Sequence, residues 1–349
     1  MPTAAVVSFR LGGADGVSIE AAKWADALGI LGWQVFSVAG SGPVDIELPG
    51  LAIDATEPPT EDELAAALAP ADLVLIENLC SLPLNPAAAA LTARVCAGRP
   101  AVLHHHDLPW QRPNLAHFPP PPDDTAWAHV TINELSRRQL AERGIAATTM
   151  YNSFDPDPAP GNRDGSRTTL GIGEGTRLLL QPTRALPRKN IGGALRLAES
   201  IGATYWLLGP AEDGYGPALE ELLAAATCPV LHTADADGQG AGVAIADAYA
   251  ACDAVVLAST WEGFGNPAVE SATYRRPLAI GPYPVAEELA AFGFRWFASD
   301  DAAGLADWLD HPDPSLLEHN RDVVARHLNR ADLPRRLQAV LDQLPTTAP

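Results

Sequence analysis

Asp253-Ala-Val-Val-Leu-Ala-Ser-Thr-Trp-Glu-Gly-Phe-Gly-Asn-Pro-Ala-Val-Glu270 joins an apolar run, a glycine-punctuated turn and a helix start in one stretch. Asp253 to Ser259 is apolar between polar residues, the pattern of a buried parallel strand. Asn266 is expected to cap the following helix, with Pro267 in its first turn. Gly263 and Gly265 let backbone amides approach a ligand closely, and the helix N-terminus offers unpaired N–H groups with partial positive charge. Seven residues separate Glu262 from Glu270, which predicts Glu262 on the loop, Glu270 about one turn into the helix, and both carboxylates along one edge of a cleft. The same two carboxylates would also suit an ordinary helix start, favoured by the helix dipole alone.

Working outward, the same strand-then-helix alternation fills the chain. Strands are predicted at 4–9, 34–38, 71–77 and 101–104, and again at 176–181, 204–209, 229–232 and 253–259. This predicts an α/β fold with parallel, helix-covered sheets. The 349 residues suffice for two domains of ordinary size. The expected boundaries are a first domain over 1–155, a linker over 156–170 marked by Pro156, Pro158, Pro160 and Gly161, a second domain over 171–330 and a helical tail over 331–349.

Thr176 to Asn190 runs from an apolar strand into a loop carrying Arg184, Arg188 and Lys189, then into a helix capped by Asn190. Cations beside a helix N-terminus and Gly192-Gly193 suit a phosphate. Only two of the 23 cationic residues are lysines, Lys23 and Lys189, so the lysine in this loop departs from the chain's habit. A solvated basic loop is the plainer alternative. Arg188 is expected to be exposed. A second apolar strand ends in Ala101-Val-Leu-His-His-His-Asp107, polar at the carboxyl end where open α/β sheets place ligands. Adjacent residues on a strand point to opposite faces, and no cysteine or spaced histidine completes a ligand set, so no metal is expected there. Near the N-terminus, Gly12, Gly13 and Gly16 follow the first strand. They could form a degenerate dinucleotide loop, which keeps an NAD-linked oxidoreductase as an alternative. The spacing is not G-x-G-x-x-G, however, and the second strand ends in Ala39-Gly40 without an acidic residue for a ribose. A plain strand-to-helix turn is equally consistent with these glycines.

The Glu262–Glu270 segment resembles the E-x7-E motif of retaining glycosyltransferases of family 4, which share the GT-B architecture of two Rossmann-like domains with parallel sheets facing a central cleft. The resemblance implies that Glu262 holds the donor sugar, that Glu270 holds the ribose, and that the amides of Gly263, Phe264, Gly265 and Asn266 border the sugar and phosphates. The basic loop resembles the family's Arg-then-Lys element, placing Arg184 and Lys189 on the donor diphosphate. The family histidine that touches the donor sugar aligns best with His106, with a shift to His105 possible. His105, Asp107 and Trp110 would lie on the acceptor side. The loop of Gly12, Gly13 and Gly16 would lie close to the donor phosphate. Met150 to Asp155 is similar to an Asn-Gly-Val-Asp element, with Ser153 and Phe154 departing from it. The tail resembles a C-terminal segment that crosses back to the first, acceptor-side domain.

Composition narrows the alternatives. A formal charge of −20 with a pI near 4.7 argues against nucleic acid, whose phosphates need clustered Lys and Arg. The helix from Ser18 to Gly32 sets one lysine against Glu20 and Asp26 and lacks the basic, apolar character of a bilayer-docking helix. No apolar run approaches membrane-spanning length and no leader is evident, so a cytoplasmic protein with a soluble acceptor is expected. Cys80, Cys96, Cys228 and Cys252 lack paired spacing, which suits free thiols in a reducing compartment. The combined expectation is a hexosyltransferase with no obligatory cofactor or metal. It would take a nucleoside diphosphate sugar as donor and a small soluble carbohydrate as acceptor. GDP-mannose is favoured over UDP-glucose because Arg275 to Phe297 resembles actinobacterial-type enzymes of mannose oligosaccharide synthesis. Base choice is expected to rest on Pro210 to Tyr215 and Asp235 to Ile245. A phosphorylase, an epimerase or a non-catalytic sugar-nucleotide-binding protein are the remaining alternatives, because fold alone does not fix the reaction.

Overall fold

The computed structural model describes residues 1–13, 15–233 and 243–345. It divides into two compact units, Met1–Ser153 with Arg330–Pro349, and Phe154–Asn329. In chain order the first unit holds β1 (Thr3–Ser8), α1 (Gly16–Ile30), β2 (Gln34–Ala39), β3 (Ile46–Glu47), α2 (Glu61–Leu68), β4 (Leu73–Glu77), α3 (Pro86–Cys96), β5 (Ala101–His105), β6 (Trp127–Thr131), α4 (Glu134–Ala141) and β7 (Ala147–Thr149). The second holds α5 (Arg163–Thr169), β8 (Leu178–Gln181), α6 (Ile191–Ser200), β9 (Thr204–Leu207), α7 (Gly216–Ala225), β10 (Val230–His232), α8 (Ile245–Ala251), β11 (Ala254–Leu257), α9 (Asn266–Thr273), β12 (Leu278–Ile280), α10 (Pro284–Ala290), β13 (Phe297–Ala298), α11 (Ala302–Asp310) and α12 (Pro314–His327). The chain then returns to the first unit as α13 (Leu333–Leu341).

The first unit is built on a seven-stranded sheet of order β3-β2-β1-β4-β5-β6-β7, all neighbours parallel. Strand parity explains why its strands read as unbroken apolar runs. Ala5, Val7, Val74 and Ile76 face one core cluster, while Ala4, Val6, Leu73 and Leu75 face another. Both faces are covered, so both sets of alternate residues must be apolar. Leu333, Leu337 and Val340 of α13 join Trp24 and Leu28 of α1 in the second cluster, and Arg330 pairs with Asp26 at 2.5 Å.

The second unit has a six-stranded parallel sheet of order β10-β9-β8-β11-β12-β13. Within the stretch 156–170, α5 is docked on this unit. Arg163 and Arg167 donate to the carbonyls of Ala250, Ala251 and Cys252 and pair with Asp253. Five strands escape the sequence reading: β3, β6, β7, β12 and β13. Two of them are two residues long, and β6 interrupts its apolar pattern with His129 and Thr131. No described helix is long and apolar enough to cross a membrane.

Candidate active site

Strand order reverses between β8 and β11 in the second sheet, and the loops leaving such a switch point diverge around the position where open α/β sheets take ligands. The loop after β8 ends in Lys189, and the loop after β11 carries Glu262. They are tied together by Thr260 N–H donating to the Arg188 carbonyl at 2.8 Å. Asn190 sits at φ 49°, caps α6 by accepting from Gly193 N–H, and donates from its side chain to the Ala258 carbonyl at 3.2 Å. Gln181, held by the Tyr205 hydroxyl, donates to the Lys189 carbonyl at 3.1 Å.

These ties place the Lys189 ammonium 2.5 Å from Glu262 Oε1, which also accepts from Ser259 Oγ at 2.6 Å. Arg188 Nη1 donates to Glu262 Oε2 at 2.9 Å and to the Trp261 carbonyl at 3.1 Å. Lys189 and Glu262 are both buried. Burial pushes the Glu262 carboxyl up, but Lys189, Arg188 and the Ser259 hydroxyl outweigh it and hold the group below the usual carboxylate range. Glu262 is therefore ionised at neutral pH, a charged acceptor among donors. Arg188, expected at the surface, instead belongs to this cluster. Arg184, expected as the first cation of the loop, is half-exposed and pairs with Glu212 at 2.6 Å.

The turn after Glu262 differs from expectation in one detail. Asn266 does not cap α9; Gly265 does, at φ 91° and ψ 57°, and Asn266 is the first helical residue. The chain must reverse sharply enough there that only a residue tolerant of left-handed φ fits, and an Asn side chain one position on is too late to cap. A Cβ at Gly265 would collide with the Tyr283 hydroxyl, which donates to the Phe264 carbonyl at 3.3 Å. Gly265→Ala should therefore cost about 1–3 kcal/mol, read as a lower thermal midpoint. An unchanged midpoint would show that the turn tolerates a side chain. Phe264 is buried and stacked on Phe154, with ring centroids 6.0 Å apart. Glu270 lies in α9 as expected, where the Tyr249 hydroxyl of α8 donates to it at 2.8 Å.

In the first unit the sheet's C-terminal edge gathers a second polar cluster. Glu77 ends β4, and His104 belongs to the neighbouring strand β5. The Glu77 carboxylate accepts from His104 Nδ1 at 2.9 Å and from His106 Nε2 at 2.9 Å. Burial raises the Glu77 carboxyl, but the two imidazoles bring it down to about 2. Trp24 stacks on His104 at 4.1 Å. Only immediately neighbouring histidines point to opposite faces of the strand. His104 and His106, two positions apart, share a face, and Glu77 from the adjacent strand completes a trio whose ligand-type atoms lie within 4.8 Å of one another. Such a trio is of a kind that can hold a metal ion; here each contact with the carboxylate has hydrogen-bond length, and the trio has no fourth member among the described residues.

His105 faces the opposite way. Its ring nitrogens meet Ser81 Oγ at 2.6 Å and His129 Nδ1 at 2.8 Å, and His129 continues to Asp123 at 3.0 Å. Burial pushes its pKa well down, so it stays neutral. Both nitrogens are spent inside the unit, whereas, among the described residues, His104 keeps a buried Nε2 without a partner and His106 bonds through Nε2 alone. Asp107 pairs with Arg112 at 2.8 Å. Trp110 donates to Gln139 at 2.8 Å beneath the Arg143 guanidinium. Gly12 has φ 75°, and Gly16 opens α1, which Asp15 caps. A Cβ at Gly13 would approach Asp15 Oδ2 to 3.2 Å. Of the stretch expected to select the base, residues 235–242 lie outside the described residues.

No protein-family model matches the chain. A mannosylglucosylglycerate synthase of Petrotoga mobilis is 25% identical over 371 residues, covering 83% of this chain and 84% of the relative. The enzyme of the same name from Thermotoga maritima is 24% identical over 393 residues, covering 93% and 91%. Among solved structures, Anabaena HepE in complex with UDP-glucose superimposes with a TM-score of 0.73 at 18% identity over 98% of this chain and all of that one. The lipopolysaccharide glycosyltransferase WaaG gives 0.66 at 14% identity, covering 99% of this chain. The chain is a glycosyltransferase of the GT-B type.

Several residues of this glycosyltransferase that the sequence reading passed over now carry the geometry: Ser259, Tyr249, Tyr283, Glu77 and Asn78. Ser259 had a visible signal, three residues before Glu262 at the end of its strand. Tyr249 and Tyr283 lie in ordinary helical or loop contexts and become recognisable only through the hydroxyl each aims into the α9 turn. Glu77 and Asn78 follow an apolar run, as His106 and Glu262 do.

Proposed function

We propose that this chain is a retaining mannosyltransferase that moves mannose from GDP-mannose to a hydroxyl of a small, soluble, acidic glycoside of the glucosylglycerate kind. The observation that carries the reading is the Lys189–Glu262–Arg188 cluster at the β8/β11 switch point. It sets two cations and an ionised carboxylate where a sugar diphosphate needs both charge neutralisation and hydroxyl recognition. The relatives' name supports mannose as the transferred sugar and a glucosylglycerate-like acceptor, as does a mannosyltransferase of Escherichia coli that is 31% identical over 109 residues, 30% of this chain. UDP-glucose, held by the HepE structure, is the second donor to test.

In this reading Lys189, Arg188 and Arg184 hold the diphosphate, with Arg184 exchanging Glu212 for a phosphate oxygen. Glu262 orients the sugar hydroxyls, Glu270 holds the ribose, and His106 touches the sugar. The acceptor oxygen bonds to the anomeric carbon on the face from which the diphosphate departs, and the hydroxyl proton passes to the leaving phosphate oxygen. The cations stabilise the negative charge that develops on that oxygen. In this reading Glu262 acts as an orienting residue and not as a covalent nucleophile, which its contacts with Lys189, Arg188 and Ser259 support.

Thermal-shift and calorimetric titration with GDP, UDP, ADP, NAD, GDP-mannose and UDP-glucose tests the reading. A bound nucleotide at a hundred times its Kd stabilises by about 2.7 kcal/mol. GDP and GDP-mannose should raise the midpoint, and Glu270→Ala should abolish the shift. Binding of NAD alone would overturn the proposal, and a shift by UDP-glucose alone would replace the donor.

A further inference from the structure

We propose that Glu77 is a positioning residue of the transferase, fixing the ring of His106 so that Nδ1 is the nitrogen presented to the donor sugar. The inference rests on His106 acting at the sugar, as proposed above, and adds what makes that histidine competent. Glu77 is fully buried at the end of β4 and accepts from His106 Nε2 at 2.9 Å, with Oε1 and Oε2 also taking His104 Nδ1 at 3.1 and 2.9 Å. An ionised carboxylate only accepts, so both imidazole nitrogens facing it must carry hydrogen. Proton placement at Nε2 of His106 leaves Nδ1 as the ring nitrogen available to a ligand. Nδ1 makes no hydrogen bond among the described residues, and it is absent from their fully buried, unpartnered polar atoms.

A second observation is independent of the carboxylate. Asn78, the next residue, adopts φ 58°, a left-handed conformation that costs a non-glycine residue energy and persists only where its surroundings demand it. In that conformation its Oδ1 accepts from the backbone N–H groups of His106 at 3.2 Å and Asp107 at 3.3 Å. Glu77 thus grips the ring of His106 while Asn78 grips its backbone, from two consecutive residues. Ordinary packing of β4 against β5 requires neither. The charged and titratable groups acting on His106 are Glu77 from β4, His104 and His105 from β5, Glu20 from α1 and the adjoining Asp107. Glu20 is itself paired with Lys23.

The test uses the full chain labelled with ring-15N histidine, its His106 signal assigned by loss in His106→Gln. In the wild type the long-range proton–nitrogen spectrum should show His106 protonated at Nε2, and in Glu77→Gln that assignment should give way to mixed tautomers. In parallel, turnover of GDP-mannose or UDP-glucose, whichever the titrations select, is measured for Glu77→Gln, Glu77→Asp, His106→Gln and Glu77→Gln with His106→Gln. A displaced reactive group costs about 100-fold, so Glu77→Gln and His106→Gln should each lower kcat on that scale with little change in KM. The double variant should lose no more than the worse single one, the behaviour of residues acting as a unit. Multiplicative losses, wild-type turnover in Glu77→Gln, an unchanged His106 tautomer, or a stoichiometric metal found by elemental analysis would each overturn the proposal. If His106→Gln alone keeps full turnover, the sugar-contact reading fails while the tautomer result still reports on Glu77.

Discussion

Lys189→Ala is expected to lower kcat by about 100- to 1,000-fold, the cost of removing one preorganised donor from a developing negative charge. The ammonium is the deepest cation of the β8–α6 loop. It is buried, its own carbonyl is anchored by Gln181, and its charge is set against Glu262. Such a group undergoes little reorganisation when charge builds on a leaving diphosphate, which is where an electrostatic donor is worth most. Arg188 is the more exposed partner, and its guanidinium is shared with the Trp261 carbonyl. Its loss should therefore cost less. Lys189→Arg should not restore activity, because a planar fork cannot occupy the buried position of a compact ammonium. The variants are compared by steady-state turnover of the selected sugar nucleotide, with the thermal midpoint as the control for folding. A folded Lys189→Ala protein within tenfold of wild-type kcat would remove Lys189 from the diphosphate cradle.

What the sequence made legible follows from what a periodic pattern can encode. Strands with both faces covered leave unbroken apolar runs, so β1, β4, β5, β8 and β11 could be read, along with the polar loops at their carboxyl ends. Those loops carry Lys189, His106 and Glu262, and Glu270 follows in α9. Short edge strands such as β3 and β13 carry too few residues to show a period. Partners across the sheet were hidden for a different reason: hydrogen bonds that join β4 to β5, or α8 to α9, link residues about 20 to 30 positions apart, and nothing local marks them. Thus the sequence marks His106 but not its partner Glu77, and Glu270 but not its partner Tyr249. The inward turn of Arg188, which was expected to be exposed, has the same origin. Which of two arginines in one loop turns inward depends on Glu262 and Glu212, both distant in sequence.

Glu262→Ala should be the most destabilising single change in the candidate site, by about 3–5 kcal/mol, because it leaves a buried ammonium without its counter-charge. The asymmetry with Lys189→Ala is instructive: removing the lysine still leaves Glu262 paired with Arg188 and bonded to Ser259, whereas removing the glutamate strands Lys189 in a site that disfavours its charge. The pH dependence separates this cause from simple loss of packing. The folded carboxyl lies below its ordinary value of 4.5, so the unfolded chain binds more protons as the pH falls through that range. The carboxylate's contribution is therefore fully present above pH 4.5 and is lost as the pH drops through the lower, folded value. The difference in thermal midpoint between wild type and Glu262→Ala should be large at neutral pH and narrow steadily in acid. A difference that stays constant across that range would mean that Glu262 stabilises the turn by its shape and not by its charge, and the electrostatic account of the cluster would fail with it.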